Sequence, residues 1–372
     1  MKITMDDSVY INVARKMDEF CTTAPKAADG KNFHDSFIKY LKLLFSPQEA
    51  ELLQHFKRPG VFVSVQEIAE ASGEDSSNVE KILSEALQRN NLLGMGTYYS
   101  LPPIQMLVNI HNFYPEMKPD DLEAARLYQE YFIKGGFYRY YESSKKGTST
   151  VRTIPVGQAI ETGQKVLSAE EAHDFILNCA PEEMALVPCP CRTRTEKMGI
   201  RECREEYPIA SCIFMGPAAL HFEMMGLGKR VTRQQASAYF DEMAELGLVG
   251  TTDNSIAGSS IICLCCGCCC SQVRGRTRWD NPDAIMPSNF IPQAGEDCLG
   301  CGICTDRCFF KAITVDEETS RSRVIDPDKC IGCGVCTLAC PQETLKLHRY
   351  ERSKPFATSK ELVKTLALEN RE

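Results

Sequence analysis

Apolar residues recur at helical spacing through the first third of the chain, and most such runs are opened by a polar residue able to cap them. Phe37, Ile38, Leu41, Leu44 and Phe45 fall on one face and predict a first helix. Ser46-Pro47-Gln48-Glu49 supplies an N-cap, a proline at the first helical position and the returning glutamate of a capping box, so a second helix follows with Leu52, Leu53 and Phe56 inward. Ser64 with Glu67 opens a short helix carrying Ile68 and Ala71, which Gly73 stops. Ser77 with Glu80 opens a longer one with Val79, Ile82, Leu83, Ala86 and Leu87 inside. Leu92-Leu93 and Tyr98 to Leu101, around Gly94 and Gly96, predict a hairpin.

Helix, short helix, longer helix and hairpin in this order, over roughly residues 36–103, resemble a winged helix-turn-helix. Charge argues against a DNA reader: Ser36 to Pro103 holds six Lys or Arg against eight Asp or Glu, and Glu80, Lys81, Glu85 and Arg89 cancel on the third helix. Phosphate contacts supply most non-specific affinity, so a protein-docking role ranks ahead of DNA. Asp120-Asp121-Leu122-Glu123 starts another helix with Leu122, Ala125, Leu127 and Tyr128 inward and Gly135-Gly136 as its stop. Phe137, Tyr138, Tyr140 and Tyr141 form an aromatic cluster whose plain reading is packing. A polar break from Ser143 to Ser149 marks a boundary. Ser168 with Glu171 caps a further helix, and Thr232 with Gln235 caps one carrying Ala236, Tyr239, Phe240 and Met243 that ends near Gly247.

Cysteine changes this picture. The 372-residue chain has 20 cysteines, and eighteen of them fall between Cys189 and Cys340, which implies either a disulfide framework or metal. Met1 to Phe20 lacks the apolar core of a secretory signal, so the expected compartment is reducing and the thiols are available to metal. Outside the cysteine run, the uncharged stretch Pro208 to Phe222 is too short to span a bilayer. A soluble cytoplasmic protein is the expectation. The formal charge of -8 is spread without long blocks and gives no reason to expect nucleic acid or an anionic membrane as main partner.

Cys298-Leu-Gly-Cys301-Gly-Ile-Cys304-Thr-Asp-Arg-Cys308 recurs as Cys330-Ile-Gly-Cys333-Gly-Val-Cys336-Thr-Leu-Ala-Cys340-Pro341, offset by 32 residues at every cysteine. This is the C-x2-C-x2-C-x3-C spacing that holds [4Fe-4S] clusters. With Gly300, Gly302, Gly332, Gly334 and two alternating segments, Ala312 to Val315 and Arg323 to Asp326, about a turn at Glu317 to Ser320, the region from about Gly295 to Tyr350 resembles a bacterial-type dicluster ferredoxin. The resemblance implies ligand exchange between the runs: Cys298, Cys301, Cys304 and Cys340 for cluster one, Cys330, Cys333, Cys336 and Cys308 for cluster two. The intervening glycines would let backbone amides approach cluster sulfur. Phe309 stands where the family usually has proline, which alters a turn and removes no ligand.

Ten cysteines upstream form two groups in sequence. Cys189, Cys191, Cys203 and Cys212 make the first; Cys263, Cys265, Cys266, Cys268, Cys269 and Cys270 the second. Pro190 favours extended backbone, which would let Cys189 and Cys191 face one centre. Neighbouring cysteines in the second group must diverge, which suits two centres, or one with thiols to spare, and the helix after Thr232 is expected to bring the groups together. One or two additional Fe-S clusters are the favoured reading. Zinc ranks behind because neither group shows paired C-x2-C knuckles, and thiol chemistry ranks last. Cys265-Cys266-Gly267 is similar to the CCG signature of heterodisulfide-reductase-type subunits, which bind non-cubane clusters, although the likeness covers only those three residues. Arg192, Arg194, Arg274, Arg276 and Arg278 flank the groups and could stabilise reduced clusters or form a solvated basic turn that docks an acidic partner. Six scattered histidines form no ligand pair, and no nucleotide loop or hydrolase motif is present.

The expected fold is α+β and multidomain: a helical region over 1–142 with the winged-helix-like module, a mixed α/β cysteine-rich middle over 150–280, a linker from Asn281-Pro282 to Gln293, a ferredoxin-like dicluster domain over 294–351, and a tail or helix over 352–372. The CPCR and CxCCxCCC pattern looks like multi-cysteine Fe-S proteins of anaerobes. The expected function is relay of low-potential electrons between redox partners, alone or as a subunit of an oxidoreductase complex. A redox-sensing winged-helix regulator and a thiol or disulfide reductase are the alternatives.

Overall fold

A computed structural model describes residues 5–19, 22–324, 326–352 and 354–371. The chain divides into two compact units, one of Met1–Lys146, Thr193–Ile200 and Leu366–Glu372, the other of Gly147–Arg192 and Arg201–Thr365.

In the first unit, the capping boxes at Ser46 and Ser64 form as the local pattern dictates, opening helices Pro47–Leu53 and Val65–Ser72, and Gly73 ends the latter in the left-handed conformation. The next helix, Ser76–Gln88, is capped by Asp75 rather than by Ser77: its carboxylate accepts from the amides of Ser77 and Asn78. Leu93–Met95 and Tyr98–Ser100 pair antiparallel, and Val63–Ser64 adds a third strand. Leu122 proves exposed on the helix Asp121–Gln129, while the charged Asp121 is fully buried.

Aromatic packing and one buried ion-pair system explain that reversal. Tyr128 stacks on Phe132 at 4.9 Å, and Tyr131 meets Phe37 edge-on at 5.7 Å. Arg194 is buried with its guanidinium 3.8 Å from the Tyr128 ring centre and donates to Asn109 Oδ1 at 3.2 Å. Asp121 accepts from Lys197 Nζ and the Lys118 amide and pairs with His111 Nδ1 at 2.9 Å.

The second unit is built on a six-stranded antiparallel sheet in the order Val151–Thr153, Val249–Asp253, Ile261–Cys265, Ser211–Met215, Met184–Pro188, Lys229–Val231. Phe240, Met243 and Ala244 of the helix Arg233–Leu246, opened by the Thr232–Gln235 capping box, share its core with Ile213, Ile262 and Leu264. The box expected at Ser168 does not form; Glu171 itself caps the short helix Ala172–Asp174.

Two further expectations are corrected in this unit. Pro190 does not hold the chain extended but begins the helix Pro190–Lys197, a first-turn position where its missing N–H costs nothing. The supposed linker supplies a strand instead: Phe290–Ala294 pairs antiparallel with Leu345–Arg349, with Pro292 opposite Leu347. A two-stranded ribbon has only edge strands, which tolerate proline. Ile313–Val315 pairs with Ser322–Val324; Ile325, expected in that strand, lies outside the described residues.

Candidate metal centre

Sheet register, rather than the helix after Thr232, gathers the middle cysteines. Ile262 pairs with Ile213 and Val187 with Cys212, so the strand bearing Cys263 and Cys265 lies beside that of Cys212, which lies beside the strand leading to Cys189. Cys263 and Cys265 are two residues apart and share a face, while Ile262 and Leu264 are buried in the core of the other. The result is a ring of six side chains. Hydrogen bonds join Cys189 to Cys191 and Cys212, Cys212 to Cys263, Cys263 to Cys265, Cys265 to Cys270, and Cys270 back to Cys191. Cys265 and Cys270 approach to 3.1 Å, and the Cys265 thiol also donates to Gln272 Oε1 at 3.8 Å.

The other four cysteines make a separate, tighter set. Cys203, Cys266, Cys268 and Cys269 bring all their Sγ atoms within 4.8 Å of one another, with contacts of 3.9, 3.8, 3.8 and 3.4 Å for the pairs 203–266, 203–269, 266–268 and 268–269. Each set therefore mixes the two sequence groups. Cys179 belongs to neither and lies 3.7 Å from Asp174 Oδ2.

The flanking arginines have diverse roles. Arg192 is buried, donates to the carbonyls of Ile209 at 2.6 Å and Leu264 at 2.9 Å, and hydrogen-bonds the Cys266 side chain. Arg194 is instead the aromatic-core residue of the first unit. Arg274 is buried 4.7 Å from the Trp279 ring centre, Arg276 donates to the carbonyls of Pro282, Ile285 and Asp328, and Arg278 forms a two-pronged pair with Glu202 at 3.1 and 2.9 Å.

In the C-terminal runs, Cys308, Cys330, Cys333 and Cys336 line one cavity together with Phe309, Gly332 and Gly334. Cys304 packs with Cys340, and Cys298 and Cys304 both contact Ser322: its amide reaches Cys298 Sγ at 3.4 Å and its hydroxyl lies 3.0 Å from Cys304 Sγ. Cys301 is exposed. Gly300, Gly302, Gly332 and Gly334 all have positive φ, and the amides of Gly300 and Gly332 bond Cys298 and Cys330.

These amides change the electrostatics of the thiols. Burial opposes charge on Cys298, but the Ser322 and Gly300 amides outweigh it and hold its pKa below the ordinary value. At Cys333 burial dominates and pushes the thiol up to about 12, and it also raises Cys330 and Cys336. Apolar walls, converging thiols and inward amides fit a metal cluster, whose positive iron would favour the deprotonated ligands.

Sequence reasoning missed two contributors. Ser322 sits on a hairpin strand and reaches the first run only through strand pairing. Phe309 packs against Gly267 of the middle loop, so closely that a Cβ there would lie 2.9 Å from its ring. The residue in the usual proline position thus fills a tertiary contact beyond altering a turn.

Residues 297–344 match the family described as the 4Fe-4S dicluster domain. No curated protein and no solved structure matches the chain.

Proposed function

We propose that this protein is an electron carrier in which the dicluster domain links an exposed end at Cys301 to a buried iron–sulfur centre held by the ring of Cys189, Cys191, Cys212, Cys263, Cys265 and Cys270. When bound, each [4Fe-4S] cluster supplies reversible one-electron chemistry. The ligand sets are those of the exchange pattern: Cys298, Cys301, Cys304 and Cys340 for the first, Cys330, Cys333, Cys336 and Cys308 for the second.

The carrying observation is the continuity of buried sulfur. Cys304 and Cys340 share one apolar cluster with Cys336 and Cys308. Cys308, Cys330 and Cys333 share the next with Cys263, Cys265 and Cys270. Exposure at Cys301 gives a redox partner access to one end, and apolar packing excludes water from the other sets. No described helix is long and apolar enough to cross a membrane. The remaining expectations, a docking role for the winged-helix-like module and work in anaerobic metabolism, fit this reading.

The test is iron and sulfide analysis with reductive titration of the full chain prepared without oxygen. At least two clusters should bleach reversibly with EPR signals of reduced [4Fe-4S]. Iron no higher than about eight atoms per chain, the complement of the two dicluster cubanes alone, would overturn the buried ring centre, and less iron than that would overturn the whole reading.

A further inference from the structure

The middle loop contains adjacent cysteines that turn opposite ways. Cys265 and Cys270 enter the six-membered ring, while Cys266 and Cys269, their immediate neighbours, turn to Cys203 and Cys268. The spacing of this second set discriminates between metal centres. An ion with metal–sulfur bonds of about 2.3 Å at the centre of a tetrahedron sets its ligand sulfurs about 3.8 Å apart. The contacts here are 3.4 to 3.9 Å, with every pair inside 4.8 Å. A cubane interposes its own iron and sulfide between the ligands and needs them roughly 6 Å apart. The same chain supplies the contrast: among the described residues, no three of the eight cysteines in the dicluster domain gather within that limit, and no three of the six ring cysteines do either, although ring neighbours touch in pairs, as Cys265 and Cys270 do at 3.1 Å.

We propose that Cys203, Cys266, Cys268 and Cys269 bind a single tetrahedral metal ion, with zinc(II) as the expected occupant, and not an iron–sulfur cluster. Four thiolates and no open position make a closed structural site. Binding Zn2+ displaces up to four thiol protons and leaves a tetrathiolate of net charge -2, with no change of oxidation state. The buried Arg192, hydrogen-bonded to Cys266, offsets part of that charge. The ion clasps the loop from Cys266 to Cys269 to the segment at Cys203, and so fixes both ends that present Cys265 and Cys270 to the ring. Gly267 lies under Phe309, which leaves no room for a side chain at the middle of the clasp.

This inference is independent of the electron-transfer reading, because none of the four ligands belongs to the dicluster domain or to the six-cysteine ring. The test is metal analysis of the full chain prepared without oxygen, with zinc-edge X-ray absorption and Mössbauer spectra, on the wild type and on Cys203→Ser and Cys268→Ser. The expected result is one zinc per chain in a shell of four sulfurs at about 2.3 Å, lost in both variants while the reduced [4Fe-4S] signals of the dicluster domain persist. One isolated iron in the same four-sulfur surroundings also supports the single-ion site. Wild-type protein with neither zinc nor isolated iron overturns it, as does one zinc retained in both variants. Where a variant does not fold, the wild-type spectra decide.

Discussion

At the residue scale, the glycines between the ligands separate two requirements. Gly302 has φ +78° with nothing within 4 Å of an added Cβ, so alanine there meets only the left-handed backbone penalty of roughly 1–2 kcal/mol. Gly332 has φ +64°, and an added Cβ would lie 2.2 Å from the Phe290 carbonyl and 2.4 Å from Ser288 Oγ. The Phe290 oxygen is backbone and cannot swing aside. Gly332→Ala must therefore displace the segment whose amide bonds Cys330, and the protein should lose about four irons per chain, one cluster's complement, while Gly302→Ala keeps them. Iron and sulfide assays on the two variants check the contrast. Equal iron in both would show that the close approach at Gly332 is dispensable. The glycines themselves were legible from the motif, but their unequal tolerance was not, because it depends on the Phe290–Ala294 strand, which lies outside both cysteine runs.

At the element scale, what was legible is what is local. The capping boxes at Ser46, Ser64 and Thr232 form because all their partners lie within one turn. Ser77–Glu80 fails because Asp75 offers a charged acceptor two residues earlier, and the proline-containing strand was hidden because its partner lies more than fifty residues away. Asp121 reads as a solvated helix start, yet it is the buried centre of a polar cluster with Lys197, far along the chain. Burial opposes its charge, but Lys197, the Lys118 amide and His111 outweigh it, so its pKa lies below the ordinary 3.8. A depressed carboxylate contributes stability that is whole above the ordinary value and is lost as pH falls through the lowered one. Lys197→Met leaves the buried carboxylate without its cation, a loss of about 3–5 kcal/mol for a buried pair. The melting temperature of the full chain, followed by aromatic circular dichroism, should fall at neutral pH, and acid unfolding should begin at higher pH than in the wild type. An unchanged acid midpoint would show that Lys197 does not set the Asp121 titration.

At the scale of the whole molecule, the sequence identifies all ten middle cysteines as ligands in prospect but cannot partition them. Cys203 lies in the first sequence group and joins three residues of the second; Cys189, Cys191 and Cys212 join the other three. That sorting is set by the register of three strands and by one loop that turns neighbouring side chains apart, neither of which leaves a local pattern. The eight cysteines of the two C-terminal runs were recognisable because their spacing itself encodes the loop geometry, and exposure now ranks them. In the set containing Cys301, that residue is exposed, Cys298 and Cys340 are half-buried and Cys304 is buried, whereas in the other Cys330, Cys333 and Cys336 are buried and only Cys308 is half-buried. A ferrous chelator must reach iron past these side chains, so added to reduced, oxygen-free protein it should remove iron in two phases. About four irons should leave fast, from the set containing Cys301, and the rest at least roughly tenfold more slowly, because buried centres release iron only through local opening. Stopped-flow absorbance of the iron–chelator complex measures both phases. A single phase for all iron would mean that burial does not order the centres, and the assignment of Cys301 to the accessible end would fall with it.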